Sequence, residues 1–119
     1  MKKIAVIFTF LVSLLFITYV YASVPTDMKI NFDPDSKMVN IVITHSSNNT
    51  IIHYIRKVEV WLRGKRIIEH YISRQDNDQT QVLAYLIPDY QAGDVISVAA
   101  YCSVNGRLER NTLADKYKK

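Results

Sequence analysis

Apolar and polar residues alternate along most of this chain with a period of two. Val39, Ile41 and Ile43 fall on one side of the first such stretch, and His45 continues that side. A period of two is typical of a β-strand with one buried face, so each stretch predicts a strand. The predicted strands span residues 37–45, 51–63, 66–73, 80–87, 94–104 and 108–113.

Turn-forming residues separate these stretches at intervals of about ten residues. They include the run from Ser46 to Thr50 and the glycines Gly64, Gly93 and Gly106. Short strands at this spacing, with no helical period, favour an all-β fold. We predict an immunoglobulin-like antiparallel β-sandwich of about seven strands, and a small β-barrel is the second choice.

The N-terminal stretch has a different pattern. Lys2 and Lys3 precede an apolar segment over residues 4–20, and Ala22 follows at a position suited to a signal peptidase. This pattern predicts a secretory signal peptide over residues 1–22 and a single domain over residues 23–119. We therefore expect an exported protein of the bacterial periplasm, with an uncleaved N-terminal membrane anchor as the alternative.

The charge balance is nearly even once that segment is set aside. The whole chain carries a net charge of +4, and residues 1–22 hold two lysines and no acid, which leaves +2 for the domain. A charge this small argues against nucleic acid as a partner. We expect no membrane contact after signal cleavage, and the oligomeric state is left open.

The single cysteine cannot form a disulfide within the chain. Cys102 follows Ala100 on the apolar side of its predicted strand, and His45 and His53 flank an earlier turn. Because strand ends of a sandwich cluster, these side chains could form a site with two imidazoles and one thiolate. Iron, zinc and copper all accept such ligands, whereas simple packing at the rim of the core is the competing interpretation. His70 alternates with apolar neighbours and is interpreted as structural.

Several segments around these residues resemble the iron domain of desulfoferrodoxins and neelaredoxins, the superoxide reductases. The likeness covers most of residues 23–119 and marks the chain as a degenerate member of that family. The segments are Thr44-His45-Ser46-Ser47, His53-Tyr54-Ile55, Val58-Glu59-Val60-Trp61-Leu62 with Gly64-Lys65, and Ala100-Tyr101-Cys102-Ser103-Val104-Asn105-Gly106.

The resemblance implies an immunoglobulin-like sandwich that holds one non-haem iron with four histidines and a cysteine thiolate. His45, His53 and Cys102 match that pattern and are the expected metal ligands. The chain departs from it elsewhere. Asn105 stands in the place of the last histidine, and Ser23 stands near the place of the first. Ser46-Ser47 replaces a proline-methionine pair, and Lys29 is only a loose substitute for the family's lysine.

The resemblance also implies a reaction, the one-electron reduction of superoxide with electrons from an external donor. Whether the chain is an active enzyme is left open, and no catalytic residue is assigned. The alternative function is a non-catalytic binding or accessory module that keeps the sandwich with a decayed metal site.

Overall fold

A computed structural model describes residues 24–113, and the prediction of a signal peptide lies outside those residues. The described chain folds into two antiparallel sheets, which confirms the predicted immunoglobulin-like β-sandwich. Its strands are β1 (Asp27–Asp33), β2 (Met38–Thr44), β3 (Ile55–Leu62), β4 (Lys65–Tyr71), β5 (Thr80–Leu86), β6 (Ile96–Cys102) and β7 (Arg107–Asn111).

The connections between strands carry the chain from one sheet to the other three times. One sheet has the order β1-β2-β5 and the other has the order β4-β3-β6-β7. The chain therefore passes from the first sheet to the second after β2, returns after β4 and crosses again after β5. The β2–β3 connection, the β4–β5 connection and the β6–β7 turn consequently meet at one end of the sandwich, together with the start of β1. We call this end the site end.

The core lies between the two sheets and consists of the apolar side of each strand. Val39, Ile41 and Ile43 of β2 are fully buried, as the alternation predicted. They pack in one cluster with Val58, Val60, Ile96, Val98 and Ala100 of the opposite sheet. Burying one such aliphatic side chain contributes on the order of 1.5–3 kcal/mol, so this layer is the main stabilising element of a domain that has no disulfide.

The largest differences from the sequence predictions concern the first and third strands. β1 was not predicted, although Met28 and Ile30 point into the core. β3 begins at Ile55 rather than at residue 51. The Asn49 carbonyl accepts the backbone N–H groups of residues 52 and 53 at 3.2 and 2.8 Å, which curls the segment before β3 into a turn. Within residues 24–113, no helix is long and apolar enough to span a bilayer.

Candidate metal centre

Three side chains with metal-ligating atoms converge at the site end. Ligand atoms of His45, His53 and Cys102 all lie within 4.8 Å of one another. The two imidazole rings meet edge to face, with their centroids 4.6 Å apart and their planes at 74°. The structure thus brings together the three residues that the sequence analysis singled out.

The two sheets supply different members of this group. His45 directly follows β2 and is fully buried, because it continues the inward side of that strand. Cys102 is the last residue of β6 and is also buried. His53 precedes β3 and is half-buried, so solvent reaches the group on its side. The end of β2 therefore provides one histidine, the loop before β3 provides the second histidine, and the end of β6 provides the thiol.

A buried glutamine fixes the orientation of the His45 ring. The Gln75 side chain is 1% exposed, and its amide nitrogen donates to the backbone carbonyls of His45 and Asn77, at 2.8 Å each. Its amide oxygen must then face the ring, 2.7 Å from His45 Nδ1. Because an amide oxygen only accepts, Nδ1 carries a proton, so the neutral form of the ring has its lone pair on Nε2. A metal-ligating histidine needs this arrangement, in which the distal nitrogen is held by a hydrogen bond.

The loop between β2 and β3 is shaped by its own polar side chains. The buried Ser47 hydroxyl donates to the His53 carbonyl and accepts the Asn49 N–H at 3.2 Å. The Asn49 side chain accepts the N–H of Ile51 at 3.2 Å. Such short polar side chains stabilise turns by replacing backbone partners. They hold His53 in a defined place although it lies on a loop.

Ser103 ties this loop to the cysteine. Its hydroxyl donates to the Ile52 carbonyl at 2.9 Å and accepts the Tyr54 N–H at 3.1 Å. Its own N–H donates to the Tyr54 carbonyl at 2.8 Å. Ser103 follows Cys102 in the chain and bonds both neighbours of His53. The positions of these two candidate ligands are therefore coupled.

The turn after Cys102 adds contacts to the sulfur and to the start of the domain. The Val104 N–H lies 3.5 Å from Cys102 Sγ and donates to it, a contact that a thiolate ligand also accepts. The Cys102 N–H donates to the Gly106 carbonyl at 3.0 Å, which closes the turn. Gly106 has a φ of +89° and lies against Val24, so a β-carbon at this position would collide with the valine side chain.

The donor set suits a transition metal. Imidazole nitrogen and thiolate sulfur are the ligands that iron, zinc and copper take in proteins. A metal bound at about 2.1 Å to nitrogen and about 2.3 Å to sulfur separates its ligand atoms by roughly 3.5 Å at a tetrahedral angle. The observed separation of up to 4.8 Å would therefore have to shorten by about 1 Å when a metal binds.

The other residues weighed from the sequence lie outside this group. Asn105 is exposed on the β6–β7 turn, and Lys29 is exposed on β1. Ser23 lies outside the described residues. His70 Nδ1 lies 2.7 Å from the Tyr85 hydroxyl between the sheets, in agreement with a structural role. Burial raises the pKa of Tyr85 to about 12, so this hydroxyl keeps its proton.

Sequence analysis missed the residues that organise the site. Gln75 lies in the polar run between the predicted strands at residues 66–73 and 80–87, and nothing in such a run marks one side chain as buried. Ser47 and Ser103 were noted only as parts of motifs. Their roles depend on contacts between distant loops, which residue types alone do not reveal.

A second buried polar cluster lies on the outer face of the four-stranded sheet. Glu59 is 4% exposed, with Arg66 at 3.1 Å and Lys57 at 3.5 Å. A hydrogen bond from the Tyr101 hydroxyl, followed by the contacts with Arg66 and Lys57, lowers the pKa of this carboxyl. Tyr101 directly precedes Cys102 in β6, but it lies on the outer face of the sheet, whereas Cys102 is buried on the inner face. We therefore assign the cluster to the stability of the sheet.

Comparison with known proteins supports the fold. No protein-family model matches the sequence, and no curated protein matches it. Among solved structures, the chain is similar to a superoxide reductase crystallised in the oxidised state. The TM-score is 0.50 and the identity is 12%, and the match covers 77% of this chain and 90% of the other. At this identity the likeness establishes a relation of fold.

Proposed function

We propose that this protein binds one transition-metal ion through His45 Nε2, a ring nitrogen of His53 and Cys102 Sγ. The observation that carries this proposal is the meeting of the three ligand atoms, with the His45 ring held by Gln75 in the tautomer that a metal requires. Three ligands from the protein leave coordination positions for a small molecule.

Iron is the metal that we propose for this site. The ligand types admit iron, zinc and copper, and the likeness in fold to a superoxide reductase favours iron. We further propose that residues 1–22 direct export, so the site operates outside the cytoplasm. A thiol without a disulfide partner in the chain would then lie in an oxidising compartment, where metal ligation is one reason to keep it.

The proposed reaction is the reduction of superoxide to hydrogen peroxide. A ferrous ion held by His45, His53 and Cys102 would supply one electron per superoxide, with two protons from solvent and an external donor to restore the electron. The protein residues hold and orient the centre. Gln75 keeps the proton of His45 on Nδ1, Ser103 couples the loops of His53 and Cys102, and the half-buried face of His53 admits solvent.

A non-catalytic binding module is the second candidate function. It is favoured by the number of ligands, since only His45, His53 and Cys102 converge among the His, Cys, Asp and Glu residues of the described chain. Asn105, which stands in the place of a further histidine in the resemblance, is exposed on its turn. A site with three protein ligands holds iron less tightly than a fuller set.

Metal binding is tested on protein loaded with ferrous, zinc or cuprous ion under anaerobic conditions. We expect one iron per chain and, after oxidation, a visible thiolate-to-iron charge-transfer band that is lost in Cys102→Ser. His53→Gln should weaken binding by more than the roughly 10–100-fold that loss of an outer-sphere partner costs. His70→Gln is the matched control and should bind as the unmodified protein does. Absence of bound metal, or equal losses in both histidine variants, would refute the site.

Turnover is tested separately on the loaded protein. Superoxide consumption with an added reductant, without release of oxygen, would support the reductase. Metal binding without superoxide consumption would support the binding module. Zinc or copper in place of iron in protein taken from its native compartment would overturn the choice of iron and leave the site itself in place.

A further inference from the structure

Four exposed aliphatic side chains surround the candidate metal centre at the site end. Val24, Ile51, Ile52 and Val104 are 42%, 61%, 69% and 58% exposed. We call these residues the apolar rim. They lie on segments that are tied together, because Ser103 bonds the Ile52 carbonyl and Val24 lies against Gly106. Apolar residues grouped on a surface in this way mark a site of interaction.

The rim lies where the chain enters the domain. Val24 is the first described residue and a member of the rim, and the apolar segment over residues 4–20 precedes it. That segment is close to the roughly 20 residues that a membrane-spanning helix needs. Four residue steps separate Val20 from Val24, a distance of roughly 14 Å at full extension. A membrane that held residues 4–20 would therefore lie near the rim rather than near the opposite end of the sandwich.

The charges around the rim indicate how it would contact a membrane. Exposed residues at this end carry both signs, since Arg74 and Arg107 are basic and Asp76 and Asp78 are acidic. A surface that binds lipid by electrostatic attraction carries an excess of basic residues. Contact at this end would therefore depend on the aliphatic side chains, which insert into the boundary between headgroups and acyl chains.

We propose that the apolar rim rests on a phospholipid bilayer, with residues 4–20 retained as the anchor. The candidate metal centre then lies at the membrane surface, because Ile52 of the rim adjoins His53. This surface is a feature of the fold and does not depend on the proposed metal chemistry.

The test uses the full chain reconstituted in phosphatidylcholine vesicles with brominated acyl chains, which quench tryptophan fluorescence at short range. Trp61, the one tryptophan of the chain, is replaced by phenylalanine, and a single tryptophan is introduced as Ile52→Trp or Leu86→Trp. Leu86 is the matched control because it is 56% exposed and ends β5 at the opposite end. We expect quenching at position 52 to exceed quenching at position 86 roughly threefold, since the rim inserts by several ångströms.

Equal quenching at the two positions, or stronger quenching at position 86, would overturn the proposal. A large increase in quenching at position 52 on adding phosphatidylglycerol would show that contact depends on charge, and this would overturn the proposal that the aliphatic side chains make the contact. Unchanged quenching would support that proposal. Recovery of the chain from its native membranes without residues 1–22 would overturn the retained anchor. His53→Gln distinguishes this proposal from the metal site, because it should weaken metal binding and leave the quenching unchanged.

Discussion

Gln75→Leu tests whether the candidate ligands are held ready for a metal. The substitution keeps a buried side chain of similar size and removes three hydrogen bonds, to His45 Nδ1, the His45 carbonyl and the Asn77 carbonyl. At about 1 kcal/mol for each bond, the free energy of unfolding should fall by about 3 kcal/mol. An ordinary domain has about 5–15 kcal/mol of stability, so the variant should still fold.

The metal affinity should fall as well. Without the Gln75 oxygen, the proton of His45 is no longer held on Nδ1, and the tautomer with its proton on Nε2 competes with the metal. Loss of such an outer-sphere partner costs roughly 10–100-fold in affinity. Nitrogen NMR of the histidine rings reports the tautomer directly, and competition with a chelator of known affinity reports the binding constant.

Gln81→Leu is the matched control for this experiment. Gln81 is also buried in the same region, and its side chain accepts the Asp76 N–H at 3.1 Å and donates to the Val82 carbonyl at 3.2 Å. Its loss should cost about 2 kcal/mol of stability and leave the metal affinity unchanged. The reasoning is wrong if Gln75→Leu folds with the original tautomer of His45 and the original metal affinity.

Two further predictions concern stability. Gly106→Ala should destabilise the protein by more than Gly93→Ala, which should cost about 1 kcal/mol, because both glycines have positive φ but only Gly106 lies against Val24. Equal midpoints in urea for the two variants would contradict this contact. The lowered pKa of Glu59 contributes stability that is complete above the ordinary carboxyl pKa of 4.5 and is lost as the pH falls through the folded value. Urea denaturation from about pH 7 to about pH 3 should therefore show a smaller loss of stability for Glu59→Gln than for the unmodified protein, and equal losses would show that the Tyr101 contact has no such effect.

The alternation of apolar residues was a reliable guide wherever a strand has one buried face. It placed His45 on the inward side of β2 and Cys102 on the inward side of β6, and both are buried there. The same alternation is present before residue 37, where Met28 and Ile30 of β1 are buried, but the sequence analysis assigned no strand to this segment between Pro25 and Pro34. The alternation failed at the start of β3, because the backbone bonds of Asn49 compete with strand pairing.

The candidate site could also be predicted only in part. Residue types and strand ends were enough to suggest that His45, His53 and Cys102 meet, and the structure brings them together. Their role as metal ligands stays a prediction. Gln75 and Ser103 could not have been identified, because a glutamine or serine becomes an organising residue only through partners that are distant in the sequence.

The origin of the three candidate ligands has a consequence for the domain as a whole. His45 directly follows β2 of the three-stranded sheet, His53 lies on the loop before β3, and Cys102 ends β6 of the four-stranded sheet. An ion bonded to all three would act as a cross-link between layers that are otherwise joined by apolar packing and connecting loops. Metal that binds only the folded chain adds about 2.7 kcal/mol of stability at a concentration 100 times its Kd. Resistance to heat and to proteases would then report how much metal the surroundings supply.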